Sequence, residues 1–252
     1  MPDSSTAFSA VADPGVSAPE NMTQSQQAGL GAEDDTVDDR GSADDVPAKD
    51  AAAPAEAVAT RKRPKPGERR VQILQTLAAM LEEPGADRIT TAALAAKLSV
   101  SEAALYRHFA SKAQMFEGLI EFIESSIFTL IHQITERDTD PSLQARRIVF
   151  MLLQFGEKNP GMARVMVGDA LVFENERLSA RMNQFFDKVE SQLRQCLRAA
   201  AEQHGSQTPT VDANGRASAL TALAVGRLQR YTRSGFKRSP TEQIDMALGL
   251  LT

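Results

Sequence analysis

The chain has few of the residues from which catalytic and metal sites are built. Cys196 is its only cysteine, and its three histidines, His108, His132 and His204, have no partners at metal-ligand spacing. A phosphate-binding glycine loop and a nucleophile elbow are also missing. One cysteine excludes an internal disulfide, fits a reducing cytoplasm and predicts a buried, inert thiol. We therefore expect neither an enzyme nor a metal or cofactor site.

Long apolar runs and strand-like alternation are missing as well. No stretch approaches the ~18 apolar residues that a membrane span requires. The N-terminus lacks both the basic start and the apolar core of a signal peptide. Apolar residues instead recur at the 3.6-residue spacing of amphipathic helices, without an internal repeat. The sequence therefore predicts an all-α protein of the cytoplasm.

Charge is distributed unevenly along the 252 residues. Residues 1–60 contain 12 acidic and 2 basic side chains, residues 61–112 contain 5 and 10, and residues 113–252 contain 16 of each. The first segment has one aromatic residue, Phe8, and too little apolar surface to offset the entropy of ordering. We therefore expect a disordered acidic tail. The basic excess of the second segment indicates a nucleic-acid partner.

Residues 88–112 predict two short helices joined by a tight turn. Ser101 is placed to cap the second helix. Five apolar residues are spaced to bury one face of these helices and the turn, namely Leu94, Leu98, Val100, Leu105 and Phe109. Such a helix can enter the major groove of DNA, since the small Ala103 and Ala104 let its backbone come close. An ordinary pair of core helices is the alternative.

Two sets of residues are candidate DNA contacts. The basic, proline-interrupted arm at residues 61–67 is expected to follow phosphates or the minor groove through Arg61, Lys62 and Arg63; a solvated linker is the alternative. The module at residues 68–112 is expected to contact phosphates and base edges through Thr90, Thr91, Ser101, Glu102, Ala103, Ala104, Tyr106, Arg107, His108 and Lys112.

Start and stop signals predict further helices along the chain. Capping boxes are expected at Ser111–Gln114 and at Ser239–Glu242, and a flexible loop at residues 205–213. A helix that opens at Asp140-Pro141 is expected to end near Lys158. Including these, the predicted helices begin near residues 68, 112, 141, 162, 174, 214 and 240, and those that begin near 162, 174 and 214 are expected to end near 172, 204 and 234.

The segment Ser101-Glu-Ala-Ala-Leu-Tyr-Arg-His-Phe109, followed by Ser111-Lys112, resembles the helix-turn-helix signature of TetR-type regulators. It departs from that family at Ser99, where a glycine is usual in the turn. The resemblance implies a three-helix DNA-binding domain at residues 68–112. It also implies a helical dimerisation and partner-binding domain at residues 113–252.

Motifs outside the Ser101–Lys112 segment resemble one branch of the family, the nucleoid occlusion factors. They are Arg88–Thr91, Met115–Glu124, Phe155–Gly161, Asp169–Glu174, Gln192–Gln195 and Phe236–Thr241. The resemblance runs from about residue 68 to the C-terminus. It implies a homodimer that binds palindromic DNA sites and, when DNA-bound, inhibits assembly of the tubulin-like division GTPase FtsZ over the chromosome.

The resemblance also implies which residues meet these partners. The FtsZ surface is expected on the helix after the DNA domain and on the next helix, through Phe122, Met151 and Lys158. Leu130 and Gln154 depart from the basic residue and the glycine expected there. Core packing is the alternative for Phe122. The alternative function is a TetR-type ligand-responsive transcriptional repressor, which requires an apolar cavity in the C-terminal domain.

The homodimer is expected to form through the last two long helices, as it does in the family that the chain resembles. A two-fold pair doubles the DNA contacts of one short recognition helix. The candidate face consists of Leu220, Ala222, Leu223, Ala224, Gly226, Leu228, Ile244, Ala247, Leu248 and Leu251. Burial of this face within one subunit is the alternative.

Overall fold

The computed structural model describes residues 67–83 and 88–252, and over these residues it is all-α. The helices are α1 (Glu68–Glu82), α2 (Thr91–Lys97), α3 (Glu102–Tyr106), α4 (Lys112–Arg137), α5 (Pro141–Lys158), α6 (Pro160–Met166), α7 (Glu176–Gln203), α8 (Pro209–Arg233) and α9 (Ile244–Leu251). A 3-10 turn at Asp169–Leu171 separates α6 from α7. The predicted acidic tail and the arm residues Arg61, Lys62 and Arg63 lie outside the described residues.

α4 and α5 begin at the caps that the sequence predicts. Ser111 Oγ accepts a hydrogen bond from the backbone N–H of Gln114 at 3.2 Å, and Asp140 Oδ1 accepts one from Ser142 at 2.9 Å. The Gln114 side chain accepts from the backbone N–H of Ala110 at 2.8 Å, one residue before the predicted position. Both helices thus start where local backbone donors are satisfied by side chains.

Two predicted helix boundaries are wrong in the C-terminal domain, residues 113–252, which we call the body. The helix predicted at residues 162–172 begins at Pro160 and ends at Met166, because Gly168 adopts a left-handed conformation with φ 84°. The loop predicted at residues 205–213 is partly helical, since α8 begins at Pro209. Its first turn is held by Thr208 Oγ1 and Ser206 Oγ, which donate hydrogen bonds to Asp212 at 3.2 Å and 2.5 Å.

The capping box predicted at Ser239–Glu242 does not form. The hydroxyls of Ser239 and Thr241 donate to the carboxylate of Glu157 at 2.5 Å and 2.7 Å. These bonds fix the segment against the end of α5 instead of starting a helix. α9 therefore begins only at Ile244, after Gln243, which has a φ of 51°.

A close approach of α6 to α1 joins the DNA-binding module to the body. Gly161 in the first turn of α6 faces α1 so closely that a Cβ atom there would overlap the carbonyl oxygen of Ala78. A Cβ would also lie 3.2 Å from the Cβ of Leu81. Only glycine fits at this crossing, so Gly161 sets the position of α1 against the body.

Half of the ten residues predicted for the dimer face are buried within the chain itself. Five of them are covered by neighbouring helices, namely Leu220, Ala224, Leu228, Ile244 and Leu248. For these five the alternative of burial within one subunit is correct. Cys196 is buried as predicted, and burial raises the pKa of its thiol. Across the described ranges, no helix is long and apolar enough to cross a membrane.

Candidate nucleic-acid interface

A tight turn at Ser99 sets the angle between α2 and α3. Ser99 has a φ of 54°, the left-handed conformation expected where related turns have glycine. The backbone N–H of Ser99 donates to Ala96 at 3.0 Å, and that of Val100 donates to Ala95 at 3.0 Å. These bonds close the end of α2 and direct the chain into α3, as the helix-turn-helix prediction requires.

α3 buries one side and exposes the other. Ser101 caps it by accepting a hydrogen bond from the N–H of Ala104 at 3.3 Å. Leu105 and Phe109, just beyond its end, are each 1% exposed and hold the helix on the core. The residues left facing solvent are Glu102, Ala103, Tyr106, Arg107 and His108. This surface combines a small residue with hydrogen-bonding side chains, which is what entry into a major groove requires.

The start of α2 is tied to the start of α3. Thr90 caps α2 by accepting a hydrogen bond from Ala93 N–H at 3.1 Å. Thr91 Oγ1 donates to the Glu102 carboxylate at 2.6 Å. The structure thus brings together the two threonines and the recognition helix that the sequence places in the same site. The bond orients Glu102 but occupies the hydroxyl of Thr91.

Arg70 supports the end of α3 from α1, and sequence reasoning missed it. Its Nη1 donates to the carbonyl oxygen of His108 at 3.0 Å. Its guanidinium carbon lies 4.1 Å from the ring centroid of Phe109. The only sequence signal is a basic residue in the first helix, which does not reveal a contact 38 residues away. Arg70 therefore positions the segment that includes His108.

Lys112, a predicted DNA contact, is engaged within the protein. Its ammonium group forms an ion pair with the carboxylate of Glu174, which follows the 3-10 turn. The two side chains are 24% and 9% exposed, so this pair is partly shielded from water. Lys112 also lies 5.7 Å from the ring centroid of Phe116. A phosphate at this position would share Lys112 with Glu174.

Comparison with known families assigns this module and the body separately. Residues 73–119 match the family of bacterial regulatory proteins called the tetR family. Residues 140–252 match the C-terminal domain family described as tetracyclin repressor-like and SlmA-like. The first match contains the whole helix-turn-helix, and the second covers α5 to α9.

Relatives with high sequence identity show to which branch of the tetR family the chain belongs. The nucleoid occlusion factor SlmA of Photobacterium profundum is 51% identical over 185 residues, which is 73% of this chain and 94% of the relative. The SlmA of Salmonella typhi is 52% identical over 178 residues, 70% of this chain and 89% of the relative. The chain belongs to the SlmA family. Its resemblance to this branch, deduced from the scattered motifs, is confirmed.

Solved structures agree with the fold at much lower identity. A TetR-family regulator from Thermus thermophilus aligns with a TM-score of 0.58 at 22% identity, covering 71% of this chain and 96% of that one. The fatty acid degradation regulator FadR from Bacillus halodurans aligns at 0.61 and 15% identity, covering 75% and 96%. At such identities the likeness concerns the fold alone.

The SlmA-family residues expected to meet a protein partner lie on the body, away from α3. Phe122 on α4 and Met151 on α5 are partly buried and pack against the core. Lys158 is exposed at the end of α5. Glu157, which precedes it, anchors Ser239 and Thr241. No His, Cys, Asp or Glu cluster in the described part of the chain is arranged to hold a metal ion.

Proposed function

We propose that this protein is a nucleoid occlusion factor. It forms a dimer that binds palindromic DNA sites on the nucleoid and, when DNA-bound, inhibits assembly of the tubulin-like GTPase FtsZ. In this function it works in the cytoplasm and delays the division ring where unsegregated chromosome remains. The names of the SlmA relatives support nucleoid occlusion, and the dimer, its palindromic sites and the action on FtsZ are what the resemblance to that family implies.

The proposal rests on sequence identity to the SlmA relatives over both the DNA-binding module and the body. The match of 51% to a nucleoid occlusion factor covers 94% of that relative. It therefore extends over the body as well as the DNA-binding module. The TetR fold alone would support only a DNA-binding regulator, because one fold serves many functions.

DNA recognition in this proposal centres on α3. Tyr106, which is 45% exposed, and Arg107 contact phosphates or base edges. Glu102, whose carboxylate accepts a hydrogen bond from Thr91, accepts one from a cytosine amino group in this proposal. The basic arm at residues 61–67 adds phosphate contacts before α1. Each phosphate contact increases the salt dependence of binding.

The dimer in this proposal uses a stripe of small residues on α8 that shares only Ala222 with the face expected from the sequence. Gly215, Ser218 and Ala222 are exposed at helical spacing on the side opposite the core. On α9, Met246 and Leu250 are 77% and 84% exposed. Small residues permit close helix approach, and large exposed apolar residues favour burial against a partner copy.

The FtsZ-binding surface in this proposal comprises Phe122, Met151 and Lys158. The two partly buried apolar side chains offer an edge for an apolar group. The exposed ammonium of Lys158 offers a site for an acidic one. Sedimentation of GTP-assembled FtsZ polymers, with and without operator DNA, tests the function. We expect this protein to reduce the pelleted FtsZ when operator DNA is present and to have less effect without it.

Two outcomes of this assay would oppose the proposal. Unchanged sedimentation at saturating protein and operator DNA would remove FtsZ as the partner. Release of DNA on addition of a small apolar ligand, combined with no effect on FtsZ, would instead identify a ligand-responsive repressor. A chain with Tyr106→Ala serves as the control, because it should lose the DNA-dependent part of the effect while retaining its fold.

A further inference from the structure

A small cavity lies at the corner where the end of α8 meets the start of α9. Its volume is about 230 Å³, and three arginines line it, Arg227, Arg230 and Arg238. Pockets for drug-sized ligands have roughly 300–1,000 Å³. This cavity therefore suits a smaller ligand or one chemical group of a larger one.

The cavity has an excess of positive charge. Glu242 supplies the one carboxylate among its lining residues, against three guanidinium groups. Arg227 Nη1 donates to the carbonyl oxygens of Glu242 and Pro240, at 2.6 Å and 3.3 Å, so its bonds hold backbone and neutralise no charge. Arg230 and Arg238 have no side-chain ion pair in the described ranges. Two net positive charges therefore remain at the cavity.

The surrounding sequence strengthens this charge. Five basic residues lie between positions 227 and 238, and no acidic residue occurs from position 213 to position 241. The body as a whole has equal numbers of acidic and basic side chains. Positive charge is therefore concentrated at the end of α8. These basic side chains repel one another unless an anion binds between them.

The turn that carries Arg238 is held in a strained conformation. Phe236 and Gln243 have φ values of 64° and 51°, and Ser99 is the one other non-glycine residue with positive φ in the described segments. Such conformations cost free energy and cluster at functional sites. Glu157 fixes the turn through two hydroxyl bonds, and the Phe236 ring packs 5.2 Å from that of Tyr231. These contacts therefore hold the turn with Arg238 beside α8, which carries Arg227 and Arg230.

We propose that this arginine pocket binds a small ligand through a terminal phosphate or pyrophosphate group. A guanidinium group can donate two parallel N–H hydrogen bonds to two oxygens of one phosphate. A terminal phosphate has a charge of about −1.5 to −2 near pH 7, which matches the charge left unpaired at the cavity. The main packing partners of α8 are α5, α6 and α7, and that of α9 is α8, so this site is separate from the recognition helix. It also stands independently of the function proposed above.

Calorimetric titration of the full chain with inorganic pyrophosphate, at constant ionic strength, tests the site. We expect saturable binding of one pyrophosphate per chain. Arg230→Gln and Arg238→Gln should each weaken it at least tenfold, or about 1.4 kcal/mol. Arg233→Gln is the matched control, because Arg233 is exposed in the same last turn of α8 but does not line the cavity. It should change affinity by less than about twofold, since unmatched surface charge contributes little.

Three results would overturn the proposal. The first is absence of saturable binding to the unmodified chain. The second is an equal loss in Arg233→Gln and Arg238→Gln, which would indicate general charge attraction. The third is displacement of pyrophosphate by a short duplex without operator sequence, which would assign the arginines to DNA backbone. Melting curves of each variant distinguish a lost site from a lost fold.

Discussion

Replacement of Arg70 gives a quantitative test of how the recognition helix is supported. In Arg70→Met the aliphatic stem largely remains, but the hydrogen bond to His108 and the cation–π contact with Phe109 are lost. An exposed cation–π contact contributes about 0.5–1 kcal/mol. A net hydrogen bond contributes about 0.5–1.5 kcal/mol. Arg70 is exposed, so water weakens both contacts. We therefore expect their loss to destabilise the segment at the end of α3 by at most about 1–2 kcal/mol.

The assay is operator binding measured over a range of salt concentrations. If the whole of this 1–2 kcal/mol is lost from the free energy of operator binding, operator affinity falls about 5- to 30-fold, since 1.4 kcal/mol corresponds to a factor of ten. A residue that only positions its neighbours leaves the slope of log K against log salt unchanged. Loss of a direct phosphate contact reduces that slope by roughly 0.9. We therefore expect weaker binding at an unchanged slope.

Arg69→Gln is the matched control for this experiment. Arg69 is adjacent in α1, and within the described residues its guanidinium bonds only to Gln72, one turn away. We expect no loss of thermal stability in this variant. A reduced salt slope for Arg70→Met would show that Arg70 contacts DNA itself. Undiminished affinity would show that the two contacts with His108 and Phe109 do not hold the recognition helix.

Further predictions concern the body. Gly161→Ala should lower Tm by several degrees through overlap with α1, at about 1–3 kcal/mol, whereas Gly249→Ala in open space should not. Lys158→Glu should spare operator binding but abolish the effect on FtsZ sedimentation; Phe122→Ser should do the same if its melting curve is unchanged. Burial, with Glu157 and Glu82 nearby, raises the pKa of Tyr231 from 10.0 to about 12. Absorbance titration should show that shift, with stability lost as pH rises from about 10 to 12.

Local signals in the sequence predicted the parts of the fold that local chemistry decides. Ser111 and Asp140 start α4 and α5 because each side chain satisfies a backbone donor three or two residues away. Ser101 and the Leu105–Phe109 spacing likewise located the recognition helix. These interactions span less than two helical turns, so a single sequence contains all the information they need.

Contacts between distant segments account for what sequence reasoning missed. Ser239 and Thr241 resemble the start of a helix, but Glu157, more than 80 residues earlier, takes both hydroxyls. The pair of Lys112 and Glu174 spans 62 residues. The spacing of apolar residues predicts an apolar face on α8. It does not show whether helices of the same chain or a second subunit cover that face. That distinction depends on the tertiary packing of α5 and α7 against α8.

The arrangement of α4 suggests how DNA and partner binding are linked under the proposed function. Lys112 begins this helix beside the recognition helix, and Phe122 lies ten residues along it, about 15 Å away at 1.5 Å per residue. A continuous helix carries a shift at one end to the other. A phosphate that draws Lys112 from Glu174 also frees the segment after the 3-10 turn. Linkage then requires FtsZ to raise DNA affinity by the same factor as DNA raises FtsZ affinity. Glu174→Gln, which removes the competing charge, should strengthen operator binding and reduce that factor; an unchanged factor would exclude this ion pair from the coupling.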